Sequence, residues 1–288
     1  MSSIKHFENK TVLITGASRG LGKKLAYAFA ESGAHTLLLA LDKVELKKIQ
    51  THLSQKFPTQ TCSIVCVDLS DENQLTEFAK HSAEQFDIDI VIHNAAIQGP
   101  IGPIWETDWQ EWKAATQINL LSPIFLTKCL LEKMRAKNAG RIIFLAGGGA
   151  TSGRPNFSCY AFNKTGLVRF TECLGEEIKN SAITVNCISP GVMDTDMVKK
   201  IMQEHPHRIH EKEFLKMQNA LNEKDNLQAA SDLCLFLASD DANKINGKIL
   251  SAEWDNWKNF PQILAQLRHS DMFTLRRVTP QNFKMDTV

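Results

Sequence analysis

The sequence predicts an α/β protein: a parallel sheet with helices packed on its faces. Two observations carry this reading. Short apolar runs of strand length alternate with longer amphipathic runs along most of the chain, and strands joined by helices of that length form right-handed βαβ units. A glycine-rich turn also joins the first strand to the first helix.

Thr11–Thr15 is the first strand. A helix follows over 21–32, with Leu25, Ala26, Phe29 and Ala30 on one face, and Gly33 ends it. His35–Ala40 is the second strand and 43–57 the second helix. Further strands are expected at 63–67, 88–93, 141–146, 183–188 and 248–252, with helices near 73–85, 108–137, 160–180 and 227–238. Asp108 can cap its helix, with Glu111 three residues on as the return partner. Residues 196–224 break the rhythm. They are polar, carry Met and His, and directly follow a strand end, so they read as a mobile lid. No repeat or low-complexity linker divides the chain. One domain is expected over residues 1–253, with a C-terminal extension over 254–288.

The chain has 288 residues, 43% of them hydrophobic, which is enough for a large core. Lys plus Arg number 33 and Asp plus Glu 32, for a net charge of +1. That balance gives no electrostatic ground for nucleic acid or an anionic membrane as the main partner. It also speaks against disorder. No apolar run approaches the roughly 18 residues a bilayer span needs, and residues 1–10 lack the apolar core of a secretory signal. The cysteines stand at 62, 66, 129, 159, 173, 187 and 234, an odd number with no C-x-x-C pair. They read as reduced core thiols of a cytoplasmic protein. His205, His207 and His210 lack an ordered ligand pattern, and no metal site is expected.

Thr15-Gly16-Ala17-Ser18-Arg19-Gly20-Leu21-Gly22 closes the first strand and opens the first helix. Glycine here permits a tight turn, a close backbone approach to a pyrophosphate, and a helix packed hard on the sheet. Free N–H groups at the helix start can then face the anion. Further on, Asp68-Leu69 ends the third strand and His93-Asn94-Ala95-Ala96 the fourth, and Asn119 lies in the next helix. Tyr160-Ala161-Phe162-Asn163-Lys164 sets a phenol and an ammonium one helical turn apart. Pro190-Gly191-Val192-Met193-Asp194-Thr195 follows the sixth strand.

These pieces, in this order and at these spacings, resemble the short-chain dehydrogenase/reductase family in its compact single-domain form, over roughly residues 8–253. The resemblance implies a Rossmann-type doubly wound parallel sheet with helices on both faces and a nicotinamide dinucleotide across the strands' carboxyl ends. It implies that Gly16, Ser18, Arg19, Gly20, Leu21 and Gly22 hold the cofactor from the glycine turn. Asp68 and Leu69 would meet its adenine, Asn94 and Ala95 would line the site, and Pro190, Gly191 and Thr195 would flank the nicotinamide. Tyr160 would be the acid/base. Lys164 would tune it and hold the ribose, and Asn119 would hold a water linking the lysine to solvent. A phenol, with a reference pKa near about 10, is sluggish at neutral pH until a nearby cation favours the phenolate. The implied reaction is NAD(P)-dependent interconversion of a secondary alcohol and a ketone or aldehyde.

The sequence departs from the family pattern in places. The family's serine, thirteen residues before the tyrosine, falls on Gly147 beside Ala146, and neither carries a hydroxyl. Thr151 and Ser152 are the substitutes a folded-back loop could bring in. One lost preorganised donor costs roughly 2.7–4 kcal/mol in kcat. A nicotinamide-binding protein of little or no catalysis, acting as a sensor or assembly subunit, therefore stays open. So does a nucleotide-sugar epimerase or dehydratase, although residues 254–288 are few for the substrate domain those carry. His93 and Ala96 replace residues of the family's N-N-A-G, and His93 reads as strand-end packing.

An acid at the end of the second strand would accept from the ribose 2′-OH. That position is Ala40, followed by Leu41, while Arg19 suits a 2′-phosphate and Asp42 opposes it. NADP is favoured over NAD. The substrate would lie among residues 98–105, 146–157 and 196–224. Trp105, Trp109 and Trp112 read as core or subunit contacts. The extension's Trp254, Trp257, Phe260, Phe273 and Phe283, with Arg268, Arg276 and Arg277, are expected to pack on the same or a neighbouring subunit. The family commonly forms dimers and tetramers through the 108–137 and 160–180 helices. A homodimer or homotetramer with a small carbonyl or alcohol substrate is therefore expected, without nucleic-acid or membrane partners.

Overall fold

The computed structural model describes residues 6–223, 225–268, 270–279 and 282. Its strands are β1 (Thr11–Thr15), β2 (His35–Ala40), β3 (Cys62–Cys66), β4 (Ile90–His93), β5 (Gly140–Leu145), β6 (Ile183–Ser189) and β7 (Lys248–Ser251). Its helices are α1 (Gly20–Glu31), α2 (Lys43–Lys56), α3 (Glu72–Gln85), α4 (Trp109–Thr116), α5 (Ser122–Ala136), α6 (Ser158–Glu177), α7 (Asp196–Glu204), α8 (Glu211–Asn222), α9 (Gln228–Ala238) and α10 (Leu264–Arg268).

The strands form one sheet in the order β3-β2-β1-β4-β5-β6-β7, parallel at every junction. Successive side chains of a strand point to opposite faces, so each strand feeds two cores. Val12 and Ile14 face α1, α2 and α9, where Leu25, Phe29, Leu46, Ile49, Leu233 and Leu237 bury them. Leu13 faces the other layer, with Phe78, Leu126, Leu130, Leu167 and Val168 from α3, α5 and α6. Covering both faces explains why the strands read as apolar runs rather than alternating ones. The winding direction reverses between β1 and β4, and the carboxyl ends of those strands open a crevice. This is the Rossmann-type doubly wound sheet expected.

Several boundaries move by a few residues: β3 runs Cys62–Cys66, β5 runs Gly140–Leu145, and α6 begins at Ser158. The 108–137 helix contains a wide turn at Gln117–Leu121 that separates α4 from α5. Pro123 lacks the N–H that an α-helix would return to the Asn119 carbonyl four residues back, so the regular ladder breaks there. Asp108 caps α4 by accepting from the Gln110 and Glu111 backbone N–H groups. The continuous stretch Trp109–Ala136 has the length and composition of a membrane-crossing helix, which corrects the expectation that no such run occurs. Here it serves as a core helix, with Leu126, Leu130 and Met134 buried against the sheet.

The 196–224 segment is not an irregular loop. It holds α7 and α8, capped by Thr195 and His210. Regular helices appear because Ile201, Ile209, Met217 and Phe214 bury together with Ile101 and Phe157 in a small third core. The extension folds back on its own chain. Trp257, Phe260 and Leu267 are buried against the α1/α9 layer, and Phe273 packs on Phe260 with ring centroids 5.0 Å apart. Arg276 pairs with the buried carboxylate of Glu172 on α6 at 3.1 Å, while Trp254 stays 75% exposed. Lys224, Phe283 and the Arg268 side chain lie outside the described residues.

Candidate active site

The crevice between β1 and β4 starts from the glycine turn. Gly16 adopts a φ of +66°, and a Cβ there would come 2.8 Å from the Ala95 Cα. A Cβ on Gly22 would stand 2.2 Å from the Gly16 carbonyl oxygen. Side chains are thus excluded where α1 meets the turn. Asn94 pins the turn from the other strand, its Nδ2 donating to the carbonyls of Thr15 at 3.0 Å and Gly16 at 3.2 Å. The Thr15 hydroxyl accepts from the Asn94 and Ala95 backbone N–H groups. No side chain caps α1 and its first turn holds no acid, so its leading N–H groups remain available to an anion. This cradle fits a dinucleotide pyrophosphate. Gly20 in the same turn faces Thr195, whose Cγ2 would lie 3.5 Å from a Cβ at Gly20.

Asp68, at the end of β3, accepts from the Ser70 N–H at 2.8 Å and hydroxyl at 2.7 Å, and Leu69 is buried beside it. On the ribose side of the crevice, Ala40 is buried and Leu41 is 64% exposed. Asp42 is committed to capping α2, accepting from the Glu45 N–H at 3.0 Å. Arg19 is exposed, with only a 3.6 Å pairing to exposed Asp196.

Tyr160 and Lys164 sit one turn apart on α6. Tyr160 is half-buried and its hydroxyl faces Gly147, where a Cβ would lie 2.6 Å from the phenol oxygen. Lys164 is 2% exposed, and its Nζ donates to the Leu145 carbonyl at 2.7 Å and lies 5.5 Å from the Tyr160 ring centroid. Burial lowers the lysine's pKa to about 8, with the Cys187 thiol working in the opposite direction. Burial raises the phenol's pKa, and the Arg154 guanidinium works against that rise. Asn119 lies in the wide turn, almost fully buried. Its side chain clasps the Ile97 backbone, accepting from the N–H at 2.9 Å and donating to the carbonyl at 2.7 Å. That clasp ties the turn to the segment that follows β4. His93 is buried, stacked on Phe144 at 4.8 Å, with Nε2 2.8 Å from the Thr127 hydroxyl. It is packing at the strand end.

The segments 98–105, 146–157 and 196–224, expected from the sequence to wall the substrate, are bonded to one another. Gly102 N–H donates to the Asn156 carbonyl at 2.8 Å, Asn156 Nδ2 to the Arg208 carbonyl at 2.8 Å, and Arg208 pairs with Glu106 at 3.0 Å. Arg154 in the loop after β5 binds Glu213 of α8 through Nε at 2.7 Å. Sequence reasoning did not single out Arg154, Asn156, Arg208 or Glu213. Their partners are 50 or more residues apart and no spacing rule links them. The only local signal was an arginine before Pro155 in a glycine-rich loop.

Gly191 holds a φ of +84° at the end of β6, with Glu253 directly opposite. The glycine turn, Asn94, Tyr160, Lys164 and Pro190-Gly191 therefore gather at the carboxyl ends of β1, β4, β5 and β6. Fold and site together define an NAD(P)-dependent oxidoreductase built on a Rossmann-type sheet.

The model of the short chain dehydrogenases matches residues 10–206. The chain is 30% identical over 246 residues to the 3-oxoacyl-[acyl-carrier-protein] reductase of Chlamydia muridarum, covering 85% of this chain and 96% of that one. A short chain dehydrogenase of Salmonella enterica serovar Typhi superposes with a TM-score of 0.74 at 26% identity, over 88% of this chain and 98% of that one. One from Shigella flexneri 2a, complexed with NADP, gives 0.72 at 25% identity, over 87% and 99%. This chain belongs to the short chain dehydrogenase family.

Proposed function

We propose that the protein is an NADP-dependent enzyme that interconverts a small secondary alcohol and a ketone or aldehyde, with Tyr160 as the acid/base. The observation that carries this is the setting of the Tyr160 hydroxyl. It faces a position without a side chain at the rim of the crevice, with Lys164 one turn away. The cofactor, once bound, supplies or accepts the hydride. Tyr160 gives a proton to the carbonyl oxygen during reduction and takes it back during oxidation. Lys164 supplies positive charge beneath the phenol. Asn119, in the wide turn, would hold a water linking Lys164 to solvent, so that the proton can be resupplied. Gly16, Ser18, Arg19, Gly20, Leu21 and Gly22 would bear the phosphates, with Asp68, Leu69, Asn94, Ala95, Pro190, Gly191 and Thr195 around the rest of the dinucleotide.

NADP is the preferred form on three grounds. No acid ends β2, Asp42 is spent on a helix cap, and Arg19 is exposed at the rim with a loose, exposed pairing to Asp196 that a phosphate can displace. The Shigella relative was solved with NADP, which supports the same choice. Calorimetric titration should show NADP binding at least about tenfold tighter than NAD, and Arg19→Gln should narrow that gap. Equal affinity for both forms would refute the cofactor assignment. The cysteines are free thiols, in keeping with a cytoplasmic protein. Trp105, Trp109 and Phe162 are exposed near the starts of α4 and α6, which suits association into a homodimer or homotetramer.

A further inference from the structure

Arg154 is carried by the loop between β5 and α6, and its side chain is only 12% exposed. The guanidinium lies over the Phe157 ring, its Cζ 3.7 Å from the centroid, and 6.0 Å from the centroid of Tyr160. The loop is close about it: a Cβ at Gly148 would lie in ordinary contact range of the guanidinium, and one at Gly149 would meet the Arg154 Cβ at 3.2 Å and the Ala161 Cβ at 2.6 Å. Glu213 fixes the head group, its Oε1 accepting from both Nε and Nη2. The charged groups placed about the phenol are therefore Arg154 from the loop, Lys164 from α6, and Glu213 from α8 through its pairing with Arg154. Of the two cations, Lys164 already spends a hydrogen on the Leu145 carbonyl.

We propose that Arg154 is a positioning residue for Tyr160: its guanidinium stabilises the phenolate, and Glu213 makes that support depend on the seating of the lid helix. The inference rests on Tyr160 being the acid/base. An arginine suits the task because it stays charged at every working pH, stacks on an aromatic ring and is held in a fixed plane by a carboxylate. The burial that penalises the phenolate is the cost it offsets. Moving α8 away would take Glu213 with it and release the arginine's charge or its position. The seating of α8 and acid/base strength are thereby coupled through two side chains 59 residues apart.

The chain has two tyrosines, Tyr27 and Tyr160. In a Tyr27→Phe background, tyrosine labelled at Cζ reports the ionisation of Tyr160 alone by NMR in the full-length protein, with no need of turnover. Arg154→Gln should raise the pH of half-ionisation by about one unit. Arg154→Lys should restore part of that shift, and Glu213→Gln, which keeps an acceptor but loses the charge, should lower it. The pH profile of kcat/KM for alcohol oxidation should move in the same directions. Identical titration of Arg154→Gln and its parent would overturn the proposal, as would a shift that lysine does not reduce. If Arg154→Gln fails to fold, Glu213→Gln decides, and no downward shift then overturns it. Full turnover in Tyr160→Phe would instead remove the acid/base assignment while leaving the titration shifts in place, so the two failures are told apart.

Discussion

At the scale of single residues, Gly147 shows how the site differs from the family pattern. A hydroxyl is missing there, but the geometry leaves no space for one: a Cβ would stand 2.6 Å from the Tyr160 oxygen and 2.7 Å from its ring. Restoring the family residue with Gly147→Ser should therefore push the phenol aside. Since a displacement of about 1 Å can cost roughly a hundredfold, kcat/KM should fall rather than rise. A more active Gly147→Ser enzyme would show that position 147 is an unfilled serine site. Thr151 and Ser152, named as substitutes from the sequence, are exposed, and no contact places either hydroxyl at Tyr160. The residues of the glycine turn, Asn94, Tyr160 and Lys164 could be read from the chain because each sits in a short motif. Arg154 and Glu213 could not, because their meeting depends on where α8 lands.

At the scale of elements, the wide turn at Gln117–Leu121 does the positioning. It presents Asn119 to the Ile97 backbone, and both hydrogen bonds are at least partly shielded from water. Asn119→Ala would leave the partly shielded N–H and C=O of Ile97 without these partners, at up to roughly 1 kcal/mol each because water can reach them. The denaturant midpoint should drop accordingly, and turnover should fall with it. Unchanged stability would mean that the clasp is dispensable. The strands were legible because parallel strands buried on both faces are simply apolar runs. The wide turn was missed because helical periodicity continues through it, although Pro123 was the visible sign. The helices of the 196–224 segment were not read from the chain because its polar residues hide a narrow apolar stripe of Ile201, Phe214 and Met217, whose burial partners come from the 98–105 and 146–157 loops.

At the scale of the whole molecule, stability carries an acid liability built into the core. The Thr127 hydroxyl gives its hydrogen to the Pro123 carbonyl at 2.7 Å, so it accepts from His93 Nε2–H. Burial lowers the His93 pKa from 6.5 to about 3. The unfolded chain then binds the extra proton first, so this stabilisation is complete above about pH 6.5 and is lost as pH falls toward 3. His93→Gln keeps the donor without the titration, and its unfolding midpoint should decline less between pH 6.5 and 4 than the parent's, by denaturant titration. Equal slopes would place the acid sensitivity elsewhere. The one-sheet architecture followed from the rhythm of the chain. Packing of the extension aromatics was expected from their apolar character and holds for Trp257, Phe260 and Phe273, whereas Trp254 stays exposed. Which face Trp257 and Phe260 would cover depends on tertiary packing that periodicity does not encode. The proposed chemistry turns on one phenol beside the crevice. Tyr160→Phe should cut kcat/KM for carbonyl reduction by about 10²–10⁴-fold while cofactor affinity, titrated separately, stays within about twofold. Turnover that survives the loss of the hydroxyl, with cofactor still bound, would contradict it.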